Sequence, residues 1–374
     1  MKQIRLSKSA HIYKILKAEI FSGKYKPDEY FYSETEVMQR FEVSRPTAIR
    51  VLKDLQQDKL LVRRVGSGTY VSSPTQEKNS PWGVMMSTGE SSHSLHPMIS
   101  QLLIATRKIN KTLIIGDHKW SELESLSQED QRSILFRPFL QGQIEGLFFV
   151  PFYDSPRQSE RNCYDDLLNP FNRLFLDHLQ LLKIPVVLLD YGMNPFPYQS
   201  DHDLVSTDHF QGGYLQGQHL LQNPAGSIHF LCSESHEFIP SIQARREGVQ
   251  FALREKGLSL KIHKLDPHNI EEINCFLKKE KPDYLIASND DYAAKIINTL
   301  YQLQIAIPDQ IRVIGFDNSP ASENSVIPIT TVQQPFAEIA EVATKILSDR
   351  IAGNSLPQIT ILLKPQMIVR RSSP

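Results

Sequence analysis

Cysteine is scarce in this sequence, and a signal peptide and long apolar runs are missing from it. The 374-residue chain has three cysteines, Cys163, Cys232 and Cys275, which are too scattered for a disulfide framework or a C-x-x-C metal pair. The first eight residues form no apolar leader, and no run of about 18 apolar residues follows. We therefore expect a soluble, cytoplasmic protein with reduced thiols and no membrane contact.

Motifs of common enzyme classes are also missing. The chain has no GxxxxGK[ST] loop, no GxSxG elbow and no HExxH helix. Asp290-Asp291 could act as an acid–base dyad, but adjacent residues at the start of a helix point in different directions. We therefore expect no enzymatic activity and no cofactor.

Two His-Asp pairs raise the question of a metal. His202-Asp203 and Asp208-His209 lie close together in the sequence and could supply ligands. Such pairs in a surface loop are more often only polar, so we expect no metal there.

Charge is divided unevenly along the chain. Residues 1–73 contain 14 Lys+Arg and 8 Asp+Glu, a net charge of +6, whereas the other 301 residues contain 27 and 34, a net charge of −7. Chance segregation is the alternative, but a basic head on an acidic body suggests that only the head meets a polyanion. The length favours two or three domains.

The basic head has the pattern of three helices. Apolar residues recur at helical spacing over residues 9–22, and Ser33 with Glu36 forms a capping box for a second helix. Ser44 caps a third helix that turns Ala48, Val51, Leu52 and Leu55 inward. Its polar face is then free, with these residues: Arg45, Thr47, Arg50 and Lys53.

A glycine-centred hairpin follows the third helix. Residues 60–64 and 69–73 read as two strands around Val65-Gly66-Ser67-Gly68, with Arg63 and Arg64 beside the turn. A helix-turn-helix places its recognition helix in the major groove of DNA. Arginine there matches the two acceptors of a guanine edge, and glycines let the hairpin backbone approach the sugar-phosphate or the minor groove.

These residues resemble the winged helix-turn-helix of the GntR family of bacterial transcription regulators. The similarity covers residues 9–73 and is strongest at Ser33-Glu34, Val43-Ser44-Arg45-x-Thr47 and residues 66–71. The family's second arginine would fall at Ile49, and Arg50 lies one step later. The resemblance implies these DNA-binding residues, of which Ser33 and Glu34 also cap the helix: Ser33, Glu34, Ser44, Arg45, Thr47, Arg50, Arg63, Arg64, Gly66 and Gly68.

A polar segment, residues 74–81, reads as a linker, and from Trp82 short apolar runs alternate with helical segments. The predicted strands are residues 82–87, 112–116, 144–150, 185–190, 227–232, 283–287 and 311–316. The predicted helices are residues 97–109, 164–183, 210–221, 241–256, 270–279, 291–303 and 335–352. This alternation predicts an α/β domain with parallel sheets covered by helices on both faces.

Polar residues follow several of these strands. Asp190-Tyr191, Asn289 and Asp317 stand directly after apolar runs. Ligands of parallel sheets bind beyond the carboxyl ends of the strands. Carboxylates and amides there, with aromatic rings nearby, suit a polyhydroxylated ligand.

The runs of residues 184–190, 205–212, 245–248, 288–290, 307–309, 313–317, 330–335 and 370–372 together resemble the effector domain of the LacI/GalR repressors. The resemblance implies a two-lobed fold like that of type I periplasmic binding proteins. Lobe N is expected at about residues 82–207 and 335–352, and lobe C at about 208–334 and 353–374. Residues 152–175 look like an insertion. The implied effector contacts are Asp190, Tyr191, Arg245, Asn289, Asp317 and Gln334.

The resulting hypothesis is a homodimeric transcription regulator, with repression as the expected sign, that binds double-stranded operator DNA under control of a sugar or sugar phosphate. A sugar receptor without a DNA role is the alternative, and the basic head argues against it. A sugar-acting enzyme is the third possibility.

Overall fold

The computed structural model describes the greater part of the chain. The described residues are 8–21, 24–26, 28–58, 60–64, 66–72, 80–87, 96–118, 139, 144–152, 170–193, 201–222, 226–237 and 239–374. Most of the linker (74–81) and of the expected insertion (152–175) lies outside them. In the described part, no helix combines the length and the apolar character needed to cross a membrane.

The head contains three helices and a small sheet. In chain order its elements are α1 (Lys8–Phe21), β1 (Tyr30–Phe31), α2 (Glu34–Phe41), α3 (Arg45–Gln57), β2 (Leu61–Arg64) and β3 (Gly68–Val71). The sheet has the order β1-β3-β2, and both pairings are antiparallel. One core joins these elements, and the four inward positions predicted on α3 are all buried in it.

The body begins with the elements of lobe N. They are β4 (Trp82–Ser87), α4 (His96–Lys108), β5 (Leu113–His118), β6 (Gly146–Phe149), α5 (Pro170–Leu181), β7 (Val186–Leu189) and β8 (Asp203–Thr207). Successive residues of β4 and β6 enter different cores, since Val84 and Phe148 pack in one cluster and Met85 and Leu147 in another. The sheet is therefore buried on both faces, as the continuous apolar runs predict.

Lobe C repeats this layered arrangement. Its elements are α6 (His209–Leu220), β9 (Ile228–Cys232), α7 (Pro240–Arg254), β10 (Leu260–Lys264), α8 (Ile270–Glu280), β11 (Tyr284–Ala287), α9 (Asp290–Gln302), β12 (Arg312–Ile314), α10 (Pro320–Asn324) and β13 (Thr331–Gln333). Four of the strands form a parallel sheet in the order β10-β9-β11-β12. Helices α8 and α9 contribute to the core on one face, and α6 and α7 to the core on the other.

The last elements pass between the lobes. They are α11 (Phe336–Ile351), β14 (Thr360–Leu363) and β15 (Gln366–Ile368). Helix α11 packs with α4 in the core of lobe N, and β14 pairs with β8 to give the parallel order β14-β8-β7-β6-β4-β5. Strand β15 pairs antiparallel with β13.

The chain therefore returns to lobe C near residues 364–365, not near 352–356. The expected boundary put residues 353–374 in lobe C, whereas β14 lies at the edge of the lobe N sheet. The reason is that Thr360–Leu363 is a half-exposed edge strand, which lacks the apolar run that marks the buried strands.

Candidate functional site

Two hydroxyl residues, Ser33 and Ser44, precede helices α2 and α3. Ser33 Oγ accepts from the Glu36 backbone N–H at 3.2 Å, and Glu36 Oε2 accepts from the Ser33 N–H at 2.6 Å, so the predicted capping box is present. Ser44 precedes α3, but its hydroxyl lies 3.0 Å from the Thr47 hydroxyl and makes no capping bond to the backbone. The start of α3 thus presents the hydroxyls of Ser44 and Thr47 at the positive end of the helix dipole, which suits a phosphate oxygen.

Glu34 connects helix α3 to the hairpin. Its carboxylate lies 3.2 Å from Arg45 Nε and 3.4 Å from Arg63 Nη2, while the two arginine side chains remain 71% and 68% exposed. Such exposed ion pairs are weak, with a contribution of about 0–1 kcal/mol. Glu34 can therefore orient both guanidinium groups without withholding them from a stronger anionic partner.

The other predicted arginines differ in their surroundings. Arg50 is exposed on α3. Arg64 forms an ion pair with Asp28, and its guanidinium carbon lies 4.5 Å from the centre of the Tyr70 ring. Arg64 is thus fixed against the hairpin.

The hairpin turn depends on two glycines with positive φ. Gly66 has φ +77° and Gly68 has φ +122°, where a side chain would be strained. A Cβ atom on Gly68 would also lie 2.9 Å from the Tyr30 ring, whereas one on Gly66 would meet no atom within 4 Å. The open space at Gly66 leaves the tip of the hairpin accessible.

In the body, Asp190 and His209 meet between the two lobes. Asp190 follows β7 with φ +66°, His209 is the first residue of α6, and Asp190 Oδ1 lies 2.9 Å from His209 Nε2. Burial opposes the charge on the Asp190 carboxylate, but the interaction with His209, which includes a hydrogen bond, and then the positive charge of Arg245 outweigh it, so the pKa of Asp190 is lowered. Burial lowers the pKa of His209 despite the neighbouring Asp190, which favours a neutral imidazole.

Arg245, on α7, is the centre of the site. It is 5% exposed, and it donates to His209 Nδ1 at 3.3 Å and to the Ser288 carbonyl oxygen at 2.7 Å. Because Nδ1 of His209 accepts this bond, its Nε2 carries the proton and donates to Asp190. The guanidinium carbon lies 3.7 Å from the centre of the Phe316 ring, so the ring covers one face of the cation.

Asp317 follows β12 and has two different carboxylate oxygens. Oδ1 accepts from Gln334 Nε2 at 2.7 Å and lies 3.3 Å from Arg245 Nη2. Oδ2 is buried and has no hydrogen-bond partner. Burial raises the pKa of Asp317 to about 7, although Arg245 and then Gln334 act in the opposite direction.

These contacts form one continuous path between the lobes. Gln334 Oε1 accepts from Thr207 Oγ1 at 2.7 Å, and Thr207 is the last residue of β8 in lobe N. We call the connected residues the interlobe polar chain: Asp190, His209, Arg245, Asp317, Gln334 and Thr207. It begins in lobe N, crosses lobe C and ends in lobe N.

Two predicted effector residues lie outside this chain. The Tyr191 hydroxyl donates to the Pro151 carbonyl oxygen at 3.0 Å, and its ring packs in the core of lobe N. Asn289 caps α9, since its Oδ1 accepts from the Tyr292 N–H at 2.8 Å. The contacts of both residues stabilise the fold. Their contact with an effector stays a prediction.

The carboxylates considered for metal or acid–base chemistry have other partners. Asp203 forms a bidentate ion pair with Arg350, at 2.7 and 2.8 Å. Asp208 caps α6 by accepting from the Gln211 N–H at 2.8 Å. Asp290 accepts from the Ser319 N–H at 2.8 Å and from the Thr331 hydroxyl at 2.6 Å, which fixes it between two loops.

Three members of the site were not predicted for it: Thr207, His209 and Phe316. His209 drew attention only as a possible metal ligand, and its place at the start of α6, two residues after β8, was not visible because β8 was not predicted. Phe316 lies two residues after β12 and directly before Asp317, and its aromatic character beyond a strand end was the available signal. Thr207 gave no signal, because β8 itself was not predicted.

Two families match the chain. Residues 8–71 match the family described as "Bacterial regulatory proteins, gntR family", and residues 218–373 match the "Periplasmic binding protein-like domain". With the fold above, these matches define the class: a transcription regulator that joins a GntR-type helix-turn-helix domain to a periplasmic-binding-protein-like domain.

Within this class, the chain is similar over its whole length to an arabinose metabolism transcriptional repressor of Geobacillus stearothermophilus. The two are 24% identical, and the alignment covers 100% of this chain and 99% of that one. The repressor PurR of Mannheimia succiniciproducens is 31% identical over 52% of this chain, which spans 60% of the length of that relative. These relatives are transcriptional repressors.

Solved structures of LacI-type regulators share the fold of the body. A LacI family regulator from Enterococcus faecium with bound ribose has a TM-score of 0.60 and 21% identity, covering 78% of this chain and 98% of that one. The lac repressor dimer bound to operator has a TM-score of 0.60 and 14% identity, covering 80% and 95%. At these identities the likeness shows the two-lobed fold.

Proposed function

We propose that this chain represses transcription by binding operator DNA through its head, and that a small sugar-like effector bound between the lobes controls this affinity. The observation that carries the effector site is the buried Oδ2 oxygen of Asp317, which has no partner in a site that also holds the Arg245 guanidinium. A buried acceptor without a partner costs about 1–3 kcal/mol, and a ligand hydroxyl would remove that cost.

The chemistry of the site favours a polyol. Asp317 and Asp190 accept hydrogen bonds, Arg245 donates them, and the Phe316 ring offers an apolar face. A sugar presents hydroxyls that both donate and accept, on a ring with apolar faces. The ribose-bound relative and the arabinose metabolism repressor support this class of ligand. Asp190, Arg245, Asp317 and Gln334 are the proposed contacts, with Tyr191 and Asn289 shaping the walls.

The head supplies the DNA contacts of the proposal. Arg45 and Arg50, exposed on α3, approach base edges in the major groove, and Ser44 with Thr47 holds a phosphate at the helix start. Arg63, Arg64, Gly66 and Gly68 bring the hairpin to the sugar-phosphate backbone, while Ser33 and Glu34 fix and orient the helices. A homodimer in the cytoplasm presents two such heads to a near-palindromic operator, as symmetry requires.

The interlobe polar chain supplies the control. An effector that bonds to Asp317 or Arg245 changes contacts that join lobe C to lobe N, and it therefore shifts the angle between the lobes. That shift alters the separation of the two heads of a dimer and lowers operator affinity, with a coupling of about 1–3 kcal/mol.

Replacement of Asp317 by alanine tests this function. We expect Asp317→Ala to bind operator as tightly as wild type in gel shifts without effector. It should remain bound to operator when pentoses, hexoses or their phosphates are added. The exposed Asp309 on the same lobe gives the matched control, Asp309→Ala, which should respond like wild type.

A wild-type chain that shows no salt-dependent binding to promoter DNA would remove the DNA part of the proposal, since phosphate contacts make binding weaken steeply with salt. An Asp317→Ala chain with a normal sugar titration would remove the effector site. A thermal-shift screen with the same sugars identifies the ligand, because a ligand stabilises the form it binds.

A further inference from the structure

Two histidines of lobe C lie far along the sequence from each other but side by side on one face of its sheet. His229 on β9 and His263 on the edge strand β10 bring Nδ1 and Nε2 to 2.9 Å. The Phe276 ring of α8 packs on both imidazoles, with ring centres 5.4 and 4.7 Å away. Glu280, the last residue of α8, brings a carboxylate oxygen within 4.8 Å of both ring nitrogens.

We propose that His229, His263 and Glu280 form a binding site for a divalent transition metal ion, with zinc as the preferred ion. Two imidazole nitrogens and one carboxylate oxygen are ligands that zinc accepts, with bonds of about 2.0–2.2 Å. Ligand atoms around a tetrahedral zinc are then about 3.4 Å apart. The present separations need only small side-chain movements to reach that geometry, and a water completes the fourth position.

The surroundings prepare the two imidazoles for this role. The Ser227 hydroxyl lies 2.7 Å from His229 Nε2, so it can hold the proton of that nitrogen and leave a lone pair on Nδ1. Burial, and next the charges of neighbouring residues, lower the pKa of His229 to about 4, and burial also lowers the pKa of His263. His229 is fully buried and His263 half-buried, so an ion reaches the site from the His263 side.

One cation competes with the metal for Glu280. Lys261, which pairs with His229 in the β9–β10 register, places Nζ 2.9 Å from Glu280 Oε2. Lys279 Nζ is more distant from that carboxylate, at 4.0 Å from Oε1. The metal must displace Lys261, which is half-exposed and free to swing into solvent. Removal of this lysine should therefore tighten metal binding.

Titration calorimetry of the full chain with zinc chloride tests the site, together with the absorption spectrum of the cobalt(II) form. We expect wild type to bind one zinc ion per chain and His263→Gln to bind it about 100-fold more weakly. Lys261→Gln should bind about tenfold more tightly, because it frees Glu280 and removes a nearby positive charge. The control His268→Gln changes an exposed histidine of the same lobe and should match wild type.

The Lys261→Gln variant separates loss of the site from loss of the fold, because a misfolded chain would not bind zinc more tightly than wild type. If His263→Gln binds zinc as wild type does, scattered surface histidines bind the ion and the proposal is wrong. An affinity of Lys261→Gln equal to or lower than that of wild type would exclude Glu280 as a ligand and overturn the three-residue site.

Discussion

At the scale of single residues, Asp317 has two features that destabilise the folded chain: a buried carboxylate oxygen without a hydrogen-bond partner and a positive φ. A buried carboxylate normally fills both oxygens with donors, but here Arg245 and Gln334 both approach Oδ1 and leave Oδ2 without a partner. Its φ of +110° adds backbone strain. Both features are costly in the free protein, and in the proposed function a ligand hydroxyl that donates to Oδ2 removes the first cost.

The raised pKa of Asp317 gives a prediction for stability against pH. Burial raises the pKa of Asp317 to about 7 in the native state, while the unfolded chain has the ordinary aspartate pKa of about 3.8, so between these values the folded chain binds more protons. The free energy of unfolding should therefore fall as the pH rises through 7, and the contribution of Asp317 should be fully present only below about pH 4.

Urea unfolding at pH 5, 6, 7 and 8 measures this contribution. The side chain of Asp317→Asn cannot titrate. As the pH rises, the free energy of unfolding of wild type should therefore decrease relative to that of Asp317→Asn. The exposed control Asp309→Asn should follow the wild-type curve. Parallel curves for wild type and Asp317→Asn would contradict a titration of Asp317 in this range.

At the scale of secondary structure, the position of Arg245 depends on a close contact between α6 and α7. A Cβ atom on Gly213 would lie 1.8 Å from the Arg245 carbonyl oxygen, and one on Gly248 would lie 2.0 Å from the Phe210 carbonyl oxygen. Only glycine permits this approach of two helix backbones. The two glycines thereby hold Arg245 close to His209 and Asp317 at the interlobe polar chain.

Helix α3, the proposed recognition helix, gives the second prediction. Arg45→Ala should weaken operator binding by about 1–3 kcal/mol and relax the preference at one base pair, because an arginine that reads a base edge is lost. Competition gel shifts with operators mutated at single positions measure both effects.

The control for α3 is Arg371→Ala, which removes an exposed arginine of the body. It should leave operator affinity within the error of wild type. If Arg45→Ala weakens binding equally on every sequence, Arg45 contacts phosphate and a different residue of α3 reads the base.

The sequence predicted those elements whose local pattern matches their burial. The seven predicted strands and seven predicted helices of the body are present in the described residues with boundaries shifted by a few residues, and residues 164–169 of the helix expected at 164–183 lie outside the described residues. Five strands of the body were missed: β8, β10, β13, β14 and β15. Strands β10 and β14 are half-exposed edge strands without an apolar run, and β13 and β15 have only three residues each. Strand β8 is buried, but its five residues include an aspartate, a serine and a threonine, so it also lacks an apolar run. His209 and Thr207 were missed because their role arises from contacts between lobes, which no local pattern encodes.

At the scale of the whole molecule, control requires that effector binding between the lobes and operator binding by the head depend on the same conformational equilibrium. The interlobe polar chain is suited to this because each lobe contributes partners to it, and because its members are buried, where an unmade hydrogen bond is costly. Three passages of the backbone join the lobes, near residues 208, 334–335 and 364–365. Gln334 lies at the second passage. Its hydrogen bonds to Thr207 and Asp317 therefore connect this passage to the interlobe polar chain.

Removal of one bond between the lobes should therefore change control without changing the head. Thr207→Val leaves Gln334 Oε1 without its donor, which should disfavour the joined arrangement of the lobes by about 1–3 kcal/mol. The effector concentration for half-maximal release of operator should rise by roughly 5- to 150-fold, while operator affinity without effector stays at the wild-type value. The matched control, Thr360→Val, makes the same change at an exposed position of β14.

Fluorescence anisotropy of labelled operator, with effector titrated at fixed protein, measures the shift. Effector affinity is measured in turn with and without operator, because linkage requires that the two ligands weaken each other by the same factor. In Thr207→Val the binding of effector to the free chain should weaken by the factor seen in operator release. If Thr207→Val binds effector normally but does not release operator, the lost hydrogen bond couples the lobes to the heads and does not affect effector binding. If its release curve equals that of wild type, Thr207 has no part in control.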